Sequence, residues 1–254
     1  MLIDSHAHIA YGKDLDTAKI ISEMQNDGLV SIVTIGTNVK DSLAAVKMAE
    51  ENENVYAVIG MHPEDIASFD SASIETLREL ARSPKVVAIG EIGLDYHWEQ
   101  GNKNEQKAMF EAMLELATQT DLPVCIHSRD AASDMYDILS KFAPRLKRKG
   151  VMHCYSDGAE YVKKYLDLGF FISFAGNVTF KKYDRSFLKE IPLDRILVET
   201  DCPFLAPEPL RGQVNEPKNV KYTAAFLARE YGVSEEEFFE QTVKNTKRLY
   251  YKIK

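Results

Sequence analysis

The sequence predicts a (β/α)8 TIM barrel, an α/β fold occupying residues 1–254 as a single domain, with its chemistry at the C-terminal ends of the strands. Three observations predict it. A unit of roughly thirty residues recurs along the chain: a short apolar, β-branched run, a polar or Gly/Pro turn, then a helix-like stretch. Several runs are almost continuously apolar, as strands buried on both faces of a parallel sheet must be. No G-x-G-x-x-G follows an early strand, which sets the barrel above a doubly wound open sheet. The units share pattern rather than residue identity, so they are not solenoid repeats.

Taken in order, the predicted strands are Leu2–Ala10, Val30–Gly36, Val55–Met61, Val86–Leu94, Pro123–His127, Gly150–Tyr155, Phe170–Ala175 and Ile196–Cys202. The segments between them place apolar residues at helical spacing, as Phe226-Leu227 does late in the chain. The clearest helix is Glu105–Thr118, with Phe110, Met113, Leu114 and Ala117 on one side.

Composition narrows the class. The chain is 45% hydrophobic and 28% charged, which excludes a disordered protein. No apolar run reaches the roughly 18–20 residues that cross a bilayer. Met1-Leu2-Ile3-Asp4 has no basic stretch ahead of an apolar one and does not read as a signal peptide. Cys125, Cys154 and Cys202 cannot all pair and form no C-x-x-C, which suits a reducing, cytoplasmic compartment. A net charge of -8 argues against a protein that coats nucleic acid nonspecifically. It does not argue against a nuclease, because two divalent ions reverse the potential of a cleft.

A barrel gathers the C-terminal ends of its strands at one mouth. His6 and His8 lie two apart on the first strand and so share a face. Glu91 ends the fourth strand, His127 the fifth, His153 the sixth and Asp201 the eighth. Four of the chain's six histidines and two carboxylates thus meet at one place, although two histidines near a terminus would otherwise pass as surface residues. Imidazole and carboxylate together are a divalent-metal donor set, and six ligands exceed the needs of one tetrahedral ion. The expected arrangement is a pair of ions bridged by Glu91, with His6, His8 and Asp201 on one and His127 and His153 on the other. Ions about 3.5–4 Å apart activate a water and stabilise the departing oxygen, with Glu91 and Asp201 as the catalytic carboxylates.

Strand parity assigns the neighbours. Cys154 and Cys202 each follow a ligand and are expected to point away, toward the helices; Cys125 is expected deeper, as a small core residue. Asp4 and Glu199 share the ligands' parity and are expected inside the barrel one layer down, partnering ligating groups; Glu199 alternatively assists proton transfer. Around the mouth, His62 in Gly-Met-His-Pro is placed to meet a phosphate or carry a proton, or is simply a turn residue. Arg129 is placed for an anionic group or a loop salt bridge, and Tyr96 and Trp98 for stacking on a base or for loop packing. His97 is read as surface. The basic runs Arg145-Lys147-Arg148-Lys149 and Lys244-Lys247-Arg248 lie near helix C-termini, where positive charge complements the helix dipole.

These residues are set in recognisable words: Ile3-Asp4-Ser5-His6-Ala7-His8, Ala88-Ile89-Gly90-Glu91-Ile92-Gly93-Leu94-Asp95-Tyr96, Ile126-His127-Ser128-Arg129-Asp130-Ala131 and Glu199-Thr200-Asp201-Cys202-Pro203. Together with Arg211-Gly212-Gln213-Val214-Asn215-Glu216-Pro217 and Asn245-Thr246 they resemble the TatD-type metal-dependent deoxyribonucleases, over nearly the whole chain. The resemblance implies a TIM barrel of the amidohydrolase kind and two divalent ions (Mg, Mn or Zn) on His6, His8, Glu91, His127, His153 and Asp201. It also implies hydrolysis of DNA, often as a 3′-5′ exonuclease, with His62 touching the substrate. Two positions depart from the family pattern, Ala10 where Asp or Asn is usual and His97 where an aromatic is usual; neither removes a ligand.

Two other functions compete. A hydrolase of the same barrel acting on an amide, ester or phosphoester often bridges its metals with a carboxylated lysine, and Glu91 occupies that place here. A non-catalytic metal-binding protein would not need all six ligands. DNA is therefore the expected partner, as substrate, with no membrane, no stable protein partner, and a monomer or weak oligomer.

Overall fold

A computed structural model describes residues 1–10, 15–97 and 103–254. Among these, eight parallel strands follow one another around a sheet in sequence order. They are β1 (Leu2–Ala7), β2 (Leu29–Ile35), β3 (Val55–Ile59), β4 (Val86–Asp95), β5 (Val124–Arg129), β6 (Gly150–Met152), β7 (Phe171–Phe174) and β8 (Ile196–Val198). The seam between the last strand and the first is joined where Asp201 N donates to His6 O at 3.0 Å and His8 N to Cys202 O at 2.8 Å. Ser5 Oγ adds a bond to Val198 O at 2.9 Å.

The helices are α1 (Thr17–Glu23), α2 (Val39–Glu51), α3 (Ser71–Leu80), α4 (Lys103–Thr120), α5 (Ala132–Phe142), α6 (Ala159–Asp167), α7 (Val220–Tyr231) and α8 (Glu235–Leu249). Alternation breaks once. Three short 3-10 turns, Gly176–Thr179, Leu188–Glu190 and Leu193–Arg195, replace an α-helix between β7 and β8, and two helices follow β8 instead. Gly176 and Pro192 flank that crossover, and neither residue sustains a helix interior. β6 and β8 are also shorter than their apolar runs, because His153 and Asp201 already belong to the loops beyond them.

Two apolar layers explain the unbroken hydrophobic strands. Inside the barrel lie Ile3, Val33, Val58, Val87, Cys125, Val151, Phe171 and Leu197, one from each strand. Leu249, Tyr250 and Ile253, at and beyond the end of α8, pack into this same cluster and close the barrel opposite the site. Outside, Ile32, Ile59, Ile89, Ile126, Ile172 and Val198 face helix residues such as Phe110, Met113, Leu139 and Leu227. The basic runs are spent on surface contacts: Arg145 pairs with Glu115 at 2.7 Å, and Arg148 lies over the Tyr251 ring at 3.5 Å.

Candidate metal centre

The donors arrive from the mouth end of separate elements. β1 carries His6, and His8 lies just past it. The strand does not alternate strictly, because its pairing with β2 slips between Asp4 and Ala7. Ile3 faces the lumen and Ala7 the helices, and the slip lets His6 face inward as well. Glu91 sits on β4 after the cis peptide Gly90–Glu91. Farther along β4, Gly93 has φ 147°, and a Cβ there would lie 1.9 Å from His127 O; only glycine lets β4 and β5 bring Glu91 and His127 this close. His153 follows β6, and Asp201 follows β8 in the left-handed region with φ 55°.

Glu91 is the hub. Its Oε1 lies 2.9 Å from His153 Nε2, 3.0 Å from His127 Nδ1 and 3.4 Å from His62 Nε2. Its Oε2 faces the other way, 3.4 Å from His6 Nε2 and 3.7 Å from His8 Nε2. Asp201 Oδ1 lies 3.2 Å from His8 Nε2 and 3.6 Å from His6 Nε2. His6 and His153 stack with centroids 3.9 Å apart. Three groups bring their ligand atoms within 4.8 Å of one another: His6, His8 and Glu91; His6, His153 and Asp201; and His62, Glu91 and His127. His62, expected to meet the substrate, is thus drawn into the cluster itself. Its Nδ1 accepts from Glu64 N at 3.2 Å, which turns Nε2 toward Glu91.

The charges couple strongly. Burial pushes Glu91 up, but the positive charge of His153 and His62 and hydrogen bonds from His127 and His153 hold it well below the usual carboxylate range. Burial disfavours a charged His153, yet Glu91 and Glu199 raise it well above an ordinary histidine. His127 is raised by Asp95 and Glu91 against its burial, and His8 by Asp201. His6 is lowered, by burial and by the neighbouring His153.

A further ring of groups orients the donors. His153 Nδ1 lies 3.1 Å from Glu199 Oε1, which also accepts from Cys154 N at 2.7 Å, while Glu199 Oε2 accepts from Ser173 Oγ at 2.6 Å. His127 Nε2 lies 2.9 Å from Asp95 Oδ2, and Asp95 is held through Gln106 of α4. Asp95 was absent from the sequence-derived set, although it lies four residues after Glu91 on the same strand and so shares its face. Asp4 departs from its expected place below the ligands. Alternation from Ile3 turns it to the seam, where it accepts from Thr200 N at 2.9 Å, Thr200 Oγ1 at 2.5 Å and His6 N at 3.3 Å. It steadies the backbone of His6 rather than its ring.

Cys125 keeps its expected core place with an added contact, and Cys154 differs from expectation. Cys125 Sγ lies 3.4 Å from His6 Nδ1, so it is a partner of a donor as well as a core residue. Cys154 has φ 43°, which ends strand alternation, and its Sγ accepts from Asn177 Nδ2 at 3.4 Å instead of packing under the helices. Cys202 is fully buried in the sheet–helix layer, as parity requires.

Of the residues expected around the mouth, Arg129 ends β5 half-buried, its carbonyl accepting from Tyr96 N at 2.9 Å. Tyr96 donates to Asp134 Oδ2 at 2.7 Å, and Lys103 Nζ covers its ring at 4.2 Å. His97 is half-exposed and 3.1 Å from Asp130 Oδ2. Trp98 lies outside the described residues.

The donor set fits a cation. His6 Nε2 and His8 Nε2 face each other at 3.2 Å, with one oxygen of Glu91 and one of Asp201 beside them. Basic nitrogens and carboxylates converging in a buried space are most simply reconciled by divalent charge between them.

Comparison with known proteins agrees with this chemistry. The family model for TatD related DNase matches residues 3–251. An uncharacterized metal-dependent hydrolase, YabD, of Bacillus subtilis (strain 168) is 41% identical over 253 residues, spanning 98% of this chain and 99% of its own. A 3′-5′ ssDNA/RNA exonuclease TatD of Klebsiella pneumoniae (strain 342) is 33% identical over 242 residues, 92% of each chain. The crystal structure of YJJV, a TatD homologue from Escherichia coli K12, superposes with TM-score 0.93 at 27% identity and 98% coverage of both chains.

Proposed function

The chain belongs to the TatD related DNase family of metal-dependent hydrolases, and from that premise we propose that it is a two-ion nuclease removing nucleotides from the 3′ end of single-stranded DNA. The observation that carries the proposal is the division of Glu91: Oε2 faces His6 and His8, and Oε1 faces His127, His153 and His62. A carboxylate with a separate set of imidazoles on each oxygen is built to bridge two cations. His6, His8 and Asp201 would hold one ion, and His127 and His153 the other, with His62 within reach of the second. Four imidazoles in the set favour Mn or Zn over Mg. When bound, such ions supply the charge that activates a water and stabilises the departing oxygen.

The chain's own groups do the rest. Asp201 is partly open to the mouth and held on the ionised side by His8, so its carboxylate is placed to take a proton from the attacking water. Glu199 and Asp95 hold the rings of His153 and His127 in register. Arg129, at the end of β5, is the cation placed for a neighbouring phosphate. We place this chemistry in the cytoplasm, where the three free thiols persist. A duplex would first have to fray at its end, at a cost of a few kcal/mol, so unpaired ends are the preferred substrate.

The test is a product ladder. Metal-loaded protein is incubated with 5′-labelled single-stranded DNA, blunt duplex, closed circular single strand, single-stranded RNA and a panel of small esters. Stepwise shortening of the linear strand with the circle intact is expected. Equal loss of the circle overturns end-directed cleavage, and turnover of the esters alone would make the protein a small-molecule hydrolase.

A further inference from the structure

The turn after β8 holds an aromatic ring that the chemistry above leaves unused. Phe204, three residues beyond Asp201, is 53% exposed, and its ring centroid lies 6.3 Å from that of His8 at an interplanar angle of 67°. The backbone beneath it is held from two sides. Asn215, fully buried, donates from Nδ2 to Thr200 O at 2.9 Å and Phe204 O at 2.7 Å, and its own N donates to Pro203 O at 3.0 Å. On the other side the loop after β7 is pressed against the same turn. A Cβ on Gly176 would lie 2.0 Å from Leu205 O, and Thr179 Oγ1 accepts from Glu208 N at 2.9 Å.

An exposed phenyl on a mobile loop is ordinary. Here the main chain is pinned by buried hydrogen bonds and close packing while the ring stays open to solvent beside the donors. Such a ring gains by being covered, and little ordering is lost when a flat ligand covers it. Val214, also 53% exposed, directly precedes the clamping Asn215. Tyr96 lacks this freedom, with Lys103 over its ring and its hydroxyl on Asp134.

We propose that Phe204 is a specificity-determining residue on whose ring the base of the 3′-terminal nucleotide stacks while the adjoining phosphodiester occupies the Glu91 centre. The inference rests on the nucleic-acid reading above. It follows from position: Phe204 flanks the His8–Asp201 half of the cluster, and the group hanging beside a phosphodiester held there is a nucleobase. Stacking on a lone ring accepts every base, so it would select nucleotides over simple phosphate esters without selecting sequence.

The experiment uses Zn2+-loaded protein and a phosphorothioate-linked single strand carrying 2-aminopurine at its 3′ end, whose fluorescence falls on stacking. Wild type should bind with quenching. Phe204→Ala should bind about tenfold more weakly and without quenching, and Phe204→Trp should restore both. An abasic 3′ end should weaken wild type by the same factor and leave Phe204→Ala no weaker than before. Equal binding and quenching by wild type and Phe204→Ala overturns the role of Phe204 and leaves the nucleic-acid reading standing. An abasic penalty as large in Phe204→Ala as in wild type overturns it in the same way. A wild type that neither binds nor digests any strand overturns both readings together.

Discussion

Glu199 Oε1 lies 3.1 Å from His153 Nδ1 across 46 residues of sequence, which leaves Nε2 as the ring nitrogen turned to Glu91 at 2.9 Å. The imidazole is therefore strung between two carboxylates, one at the centre and one beneath it. Glu199 is itself tied to Ser173 of β7 and to the backbone at Cys154. Three neighbouring segments of the barrel thus fix the direction of one ring.

Glu199→Gln removes the charge and keeps the shape. Metal affinity should fall about 10–100-fold, with the fold retained by circular dichroism. Asp95→Asn should do the same through His127. Unchanged affinity in either variant, measured by competition with a chelating dye, would contradict the orienting role.

Glu91→Gln should lower the metal content from about two ions per chain to one or fewer, because the amide cannot serve both sides as an anion. Elemental analysis of the purified, metal-replete variant reads this directly. A full complement would remove Glu91 as the bridge.

Asp201→Asn should fold normally and lose hydrolysis by about 10²–10⁴-fold, since it deletes the carboxylate proposed above to accept the water's proton. Near-wild-type turnover at unchanged metal content would sink that assignment.

Metal binding should release protons at neutral pH. In the metal-free protein His153 is held well above, and His127 and His8 above, the ordinary histidine value by the surrounding carboxylates, so these rings keep their protons to higher pH than free imidazole does. An incoming cation must displace those protons. Affinity should then be weakest in acid and strengthen as pH rises, levelling off once the raised His153 value is passed. Calorimetry in buffers of different ionisation enthalpy counts the protons, and a pH-independent affinity would contradict the charge state derived from Glu91 and Glu199.

Asn215→Ala strips the two donations that hold Thr200 O and Phe204 O and abandons Asn219 Nδ2, which now bonds Asn215 Oδ1 at 3.0 Å. Leaving such buried groups unpaired should cost about 2–4 kcal/mol in denaturant titration. A loss under ~0.5 kcal/mol would mean that the turn after β8 is not held by this residue.

The barrel and the convergence of its donors were legible in the residues themselves. Alternation by two puts His6 and His8 on one side, apolar runs buried on both faces mark parallel strands, and parallel strands bring Glu91, His127, His153 and Asp201 to one end. Asp95 could have been read by the same parity from Glu91. What parity could not supply lies where the strand geometry stops. The slip in β1 separates Asp4, at the seam, from the parity of His6, and positive φ at Cys154 ends the alternation by which counting turned its side chain toward the helices. The seventh crossover lost its helix to turns that pack Gly176 against Leu205. The facing of each Glu91 oxygen, the entry of His62 into the cluster and the clamp of Asn215 under Phe204 were decided by tertiary structure. Each depends on atoms of separate segments, 11 residues apart for Asn215 and Phe204 and farther apart for the Glu91 contacts, meeting at 2.7 to 3.7 Å, a juxtaposition that local periodicity carries no information about.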